Sequence, residues 1–191
     1  MQELAHTESV SPKKVFTTQK KKPKTTMIQY IINFFIDVIS ISVLLYVPVF
    51  LMIRINPRLL MHDYPPELRK AVPPRTKKET IQFLIGALLT LAINLNYIMI
   101  TFQNFLKEYH PSYLHVFLRW LMIDVFVCAV DLFICDYYIV CTLTPKFIIV
   151  PGTEHLMKVY KDKTFHTNTI PPMCVISFVL AFLTSLLYFY F

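Results

Sequence analysis

Four stretches of this sequence are too long and too evenly apolar to form the inner face of a water-soluble helix. They cover residues 27–53, 81–102, 116–143 and 173–191. A helix rises about 1.5 Å per residue and the hydrocarbon layer of a bilayer is about 30 Å thick, so roughly 20 residues cross it. In lipid no water satisfies the peptide groups, and a crossing segment must be a helix or a strand of a closed barrel. A barrel needs many alternating segments of about 10 residues, and the sequence contains none. The lengths therefore predict an all-α fold, an integral membrane bundle of four transmembrane helices in the cell membrane. Composition agrees, since 55% of residues are hydrophobic and 16% are charged. That leaves too little polar surface to coat a soluble domain.

Residues 1–26 are polar and basic and contain Pro12 and Pro23. They predict a disordered basic tail ahead of a transmembrane domain over 27–191. Lys13, Lys14, Lys20, Lys21, Lys22 and Lys24 have the look of the basic start of a signal peptide. The apolar stretch that follows is too long for one, is interrupted by Asp37, and is followed by no small-residue cleavage pattern, so it reads as a retained helix. The net charge of +7 comes from residues flanking apolar stretches. It points to the bilayer and its anionic lipid headgroups as partners, and not to nucleic acid.

Orientation is argued two ways. The side carrying the loops 54–80 and 144–172 holds eleven Lys and Arg residues against eight on the other side, which favours cytoplasmic loops. The first helix usually dominates, and its six preceding lysines favour cytoplasmic termini. The four cysteines do not form a secreted disulfide framework. Cys141 and Cys174 would pair only if the long-loop side were oxidising. With two glycines in the whole chain, Gly86 and Gly152, phosphate-cradling loops are excluded, and no cofactor is indicated.

The first long loop is proline-rich, with Asn56-Pro57, His62-Asp63-Tyr64-Pro65-Pro66-Glu67 and Val72-Pro73-Pro74-Arg75-Thr76-Lys77-Lys78-Glu79. The prolines predict an extended path along the membrane surface with one helical turn near 67–71. Thr76 to Glu79 reads as a helix start. This stretch resembles a juxtamembrane segment of small uncharacterised membrane proteins of bacteria. The likeness is confined to this region and implies a family signature after a first span, with no activity attached. The amino-terminal tail departs from that pattern, in which the first span begins near the start of the chain. In the second long loop, 153–160 predicts a short amphipathic surface helix with Leu156, Met157 and Tyr160 toward lipid.

Polar residues inside the apolar stretches are the candidate site. Asp124, Cys128, Asp131 and Cys135 fall within an arc of about 60° on an ideal α-helix. A charge in hydrocarbon costs about 2.5–3.5 kcal/mol on insertion scales, which turns such groups inward. Asp37 in the first stretch and Asn94 in the second lie at a similar depth, predicting a central polar layer. The cation- or proton-binding set is Asp37, Asp124, Asp131, Asn94 and Cys128, with the metal unspecified. Asp124 and Asp131 are about 10 Å apart along the axis, so a small ion would need a group from another helix, and Asp37 is the natural one. The same residues can equally serve as interhelical hydrogen bonds. Arg119, near the start of its stretch, predicts a side chain that snorkels to the interface, ahead of a salt bridge with a neighbouring helix.

These features allow three functions. The first is a transport-type protein or subunit with an intramembrane acidic site, acting as a homo-oligomer or with a larger membrane partner. The second is an accessory or scaffold protein whose basic loops hold anionic lipid or a partner. The third is a membrane-embedded enzyme working through the His62 region, ranked last because no nucleophile and base pair is recognisable.

Overall fold

The computed structural model describes residues 26–191; the basic tail, apart from Thr26, lies outside the described residues. The described residues form helices and no strand. The long elements are α1 (Met27–Ile55), α3 (Lys77–Tyr109), α4 (Tyr113–Val130) and α7 (Ile170–Ser185). The short ones are α2 (Pro66–Ala71), α5 (Met157–Tyr160) and α6 (Lys163–Thr167). Three helices are long and apolar enough to cross a membrane: Met27–Ile55, Lys77–Tyr109 and Lys163–Phe189, the last running through α6 and α7. The expected third span, 116–143, is not one of them. It carries Arg119, Asp124, Asp131 and Asp136, and at Asp131 it leaves α geometry for a π-helix over Asp131–Leu143.

α1 packs between α3 and α4, and α4 packs on α7, giving the order α3–α1–α4–α7. Leu88, Leu91 and Leu95 of α3 and Val175, Val179 and Leu183 of α7 stay exposed, an outer apolar surface far larger than a soluble monomer presents. At the end away from the long loops, Phe102 and Phe105 of α3 join Val116, Trp120 and Ile123 of α4 and Val38 of α1 in one core. Phe102 stacks on Trp120 with ring centroids 5.8 Å apart.

Helix ends and breaks follow from local chemistry. Thr76 caps α3 and forms a reciprocal box with Glu79, at the helix start that the sequence predicts, so α3 begins at Lys77, ahead of the apolar stretch 81–102. Pro48 inside α1 has no N–H to give, so the carbonyl of Leu44 loses its helical donor. Asn94 of α3 supplies one, with Nδ2 3.1 Å from that oxygen. Gly86 lets α3 approach α1, since a Cβ there would lie 2.2 Å from Sδ of Met52.

The two long loops fold into a cap over one end of the row. Leu59, Leu60, Met61, Tyr64 and Leu68 of the first pack against Ile148, Val150 and Tyr160 of the second and Met52 and Ile53 of α1. The Tyr64 hydroxyl donates to the Ile148 carbonyl at 2.8 Å. The Tyr160 hydroxyl accepts from Val150 N–H at 2.9 Å and contacts Thr153 Oγ1 at 2.7 Å. Tyr160 is therefore core, 2% exposed, and does not face lipid as the amphipathic pattern predicts; its hydroxyl satisfies backbone that the turn at 150–153 would otherwise strand.

The proline-rich stretch is fastened to α3 by ion pairs and hydrogen bonds. Arg58 Nε lies 2.9 Å from Glu79 and its Nη2 donates to the carbonyls of Pro73 and Pro74. Arg75 donates to the Leu59 carbonyl at 2.6 Å.

Candidate functional site

Beneath the cap is a cavity of about 450 Å³. Leu45 and Tyr46 of α1 line its inner end. Leu45 lies ten residues before Ile55, so the cavity runs about 15 Å down from the end of that helix. His62, Asp63 and Tyr64 come from the first loop; Asp131, Cys135 and Asp136 from the π-helical segment; His166 from α6; and Thr169 and Met173 from the start of α7.

The π-helix is what gathers these groups. With i→i+5 hydrogen bonding each residue turns the helix by less than the roughly 100° of an α-helix, which brings residues five apart closer to one face. Asp131 and Asp136 are spaced that way and both line the cavity. On an α-helix Asp136 would point about 140° away from Asp131. Tyr46 steadies the junction by donating from its hydroxyl to the Val127 carbonyl at 3.3 Å.

Two histidines are held by carboxylates. His166 Nδ1 is 2.8 Å from Asp136 Oδ2 and His62 Nε2 is 3.2 Å from Asp63 Oδ1. His62 also sets its ring edge-on against Phe83 at 5.1 Å. His166 is 8% exposed, and its other ring nitrogen has no hydrogen-bond partner among the described residues. Protein packed round Asp63 holds its carboxyl above the usual carboxylate range; His62 opposes this, Asp136 adds to it, and Arg75 opposes it. Much of the Asp63 side-chain surface is nonetheless open, because it stands at the edge of a cavity and not in solid core. Among the described residues no Lys or Arg lines the cavity.

The expected five-residue site is distributed over several places. Asp131 lines the cavity. Asp37 lies elsewhere, ion-paired with Arg119 Nη2 and accepting from the Tyr97 hydroxyl at 3.1 Å. Arg119 is 4% exposed and does not snorkel; the pairing with Asp37 and the rings of Tyr30, Phe34 and Phe105 around its guanidinium keep it inside. Asn94 donates from Nδ2 to the Leu44 and Thr90 carbonyls, and its Oδ1 is buried with no partner among the described residues. Cys128 lies 3.3 Å from Ser177 Oγ on α7. Asp124 is half-buried on α4, with no hydrogen bond among the described residues. The four cysteines are free thiols, with Cys141 buried and Cys174 exposed.

Among the described residues no three His, Cys, Asp or Glu side chains are placed to hold one metal ion. The cavity suits a proton, exchanged among paired carboxylates and imidazoles, or a cation larger than a bare metal ion. Asp136 and His166 were not identified from the sequence. The spacing of Asp131 and Asp136 becomes a signal only once a π-helix is assumed, and His166 sits on a turn with no pattern of its own. Compared with protein-family models, curated proteins and solved structures, the chain matches none.

Proposed function

We propose that the protein is a polytopic membrane protein of transport type, or a subunit of one, in which the helical rod 113–143 serves as a fourth crossing and the capped cavity takes up a cation or proton. One observation carries this reading: Asp63, Asp131 and Asp136 share a cavity to whose wall the described residues contribute no lysine or arginine. Carboxylates at that depth are costly unless a positive charge or a proton accompanies them. Asp131 is the member of the sequence-derived set that belongs to this site. Asp37, in this reading, is a structural partner of Arg119. Four helices in a row are few for a complete pathway, so a second copy or a larger membrane partner completes it.

The test is proteoliposome flux and equilibrium cation binding with Asp131→Asn and Asp136→Asn, each of which keeps shape and removes ionisation. Both should lose uptake while remaining folded. Unchanged flux and binding in both variants would overturn the reading.

The pairing of His166 with Asp136 supports a second reading, a membrane-embedded enzyme, because a carboxylate that orients an imidazole is the arrangement of a general base. Under that reading His166→Ala abolishes turnover of a lipid-soluble substrate and leaves cation flux at the level of empty liposomes in every variant.

A further inference from the structure

The cavity's size, sign and wall chemistry narrow the occupant, and the argument rests on the cation-site reading above. A volume of about 450 Å³ is in the range that encloses small organic molecules. It is far more than a dehydrated metal ion fills, and among the described residues no set of three His, Cys, Asp or Glu side chains is in place to hold one. The sign is set by Asp63, Asp131 and Asp136. The remaining wall is mainly aromatic and aliphatic, with Tyr46, Phe50, Tyr64, Tyr160 and Phe165 at its surface. Aromatic faces attract organic cations through the ring quadrupole and cover apolar substituents at the same time.

A second, independent feature points to a donor on the ligand. His166 is buried, and its Nδ1 lies 2.8 Å from Asp136 Oδ2. A neutral His166 with its Nδ1–H turned to that carboxylate keeps a lone pair on Nε2, in a side chain that lines the cavity and receives no hydrogen bond from a donor among the described residues. An acceptor on a cavity wall is satisfied by an N–H of the occupant.

We propose that the cavity binds a protonated amine carrying an apolar body of small-molecule size, with the ammonium between Asp131 and His166 and the apolar part against the tyrosine and phenylalanine rings.

The test uses the full chain in nanodiscs and measures binding and the shift in thermal unfolding midpoint. The probes are phenethylammonium, its N,N,N-trimethyl analogue, the neutral phenylethanol, the anionic phenylpropionate, sodium and zinc. Phenethylammonium should bind saturably and raise the midpoint, the trimethyl analogue should bind at least fivefold more weakly, and the alcohol and the acid should not bind. Asp131→Asn should weaken phenethylammonium at least tenfold. Asp63→Asn, at the cavity edge, should weaken it by a smaller factor and provides the arm that survives if Asp131→Asn fails to fold. His166→Gln should bring the primary and trimethyl ammonium ions to within twofold of each other. Binding of sodium or zinc alone, dependent on Asp131, overturns the amine assignment and leaves the cation site standing. Binding of the alcohol as tightly as the amine, or of no cation of either kind, overturns both.

Discussion

Replacing Asp37 with alanine tests whether the Arg119 pair organises the bundle. Arg119 is 4% exposed, and among the described residues its Nε and Nη1 have no hydrogen-bond partner and Asp37 is the carboxylate paired with it. The rings of Phe105, Tyr30 and Phe34 lie 4.5, 5.1 and 5.7 Å from its guanidinium carbon. They attract the cation in the parent and in the variant alike, and so do not reduce the difference between them. Removing one partner of a buried pair costs about 3–5 kcal/mol. At about 1.4 kcal/mol per tenfold, a loss near 4 kcal/mol lowers the folded-to-unfolded ratio several-hundredfold. Asp37→Asn keeps an acceptor for Arg119 and for the Tyr97 hydroxyl, and should cost about half as much. Removing both charges together, with Asp37→Leu and Arg119→Met, should recover most of the loss, because the stranded cation is then gone. The assay is equilibrium unfolding in bicelles followed by tryptophan emission. Trp120 is the chain's one tryptophan and is stacked on Phe102 beside the pair. A loss below about 0.5 kcal/mol for Asp37→Ala, or a double variant no better than the single, would refute the reasoning.

Three further outcomes follow from other parts of the structure. Tyr64→Phe removes the donor to the buried Ile148 carbonyl and should destabilise the cap by about 1–2 kcal/mol, seen as faster hydrogen exchange over 144–160 with exchange in α4 unchanged. Gly86→Ala should fall within about 1 kcal/mol of the parent, because the added methyl meets the flexible side chain of Met52 and alanine favours the helix; Gly86→Val, with two more carbons to place, should be clearly less stable in the same bicelle assay. Asp63 holds its proton more tightly in the folded chain than in the unfolded one, so its contribution to stability is present at low pH and is lost as pH rises from the ordinary carboxylate value through the raised folded one. Asp63→Asn should therefore flatten the pH dependence of the unfolding midpoint above about pH 4; an unchanged profile would show that Asp63 titrates normally.

What the sequence discloses here is governed by periodicity. The apolar stretches of α1 and α3, the capping box at Thr76 and Glu79 and the helical turn at 66–71 are local properties and can be read directly. The stripe through Asp124, Cys128, Asp131 and Cys135 holds only while each residue turns the helix about 100°, and that stops at Asp131. Beyond that point Asp136 turns toward Asp131 and both line the cavity, while Asp124 stays nearly two turns away on α4. Arg119 and Asp37 lie on different helices, and nothing in their spacing announces the pair. The role of Asn94 does have a sequence trace, because Pro48 guarantees an orphaned carbonyl at Leu44, but the partner that fills it depends on how α3 packs. Tyr160 shows the same limit in the cap. An amphipathic pattern tells which side is apolar, and not whether lipid or a second loop covers it.

The position of α1 in the middle of the row bears on how the chain is made. Asp37 and Arg119 are 82 positions apart. At about 5–20 residues per second a ribosome needs roughly 4–16 s to cover that distance. Throughout that interval the first helix exists with its carboxyl and without the guanidinium that will neutralise it. The bundle thus cannot be completed by adding each helix to the one before. Biogenesis has to shelter the earliest helix until a much later one arrives, and a ribosomal pause between the two codons would lengthen its exposure.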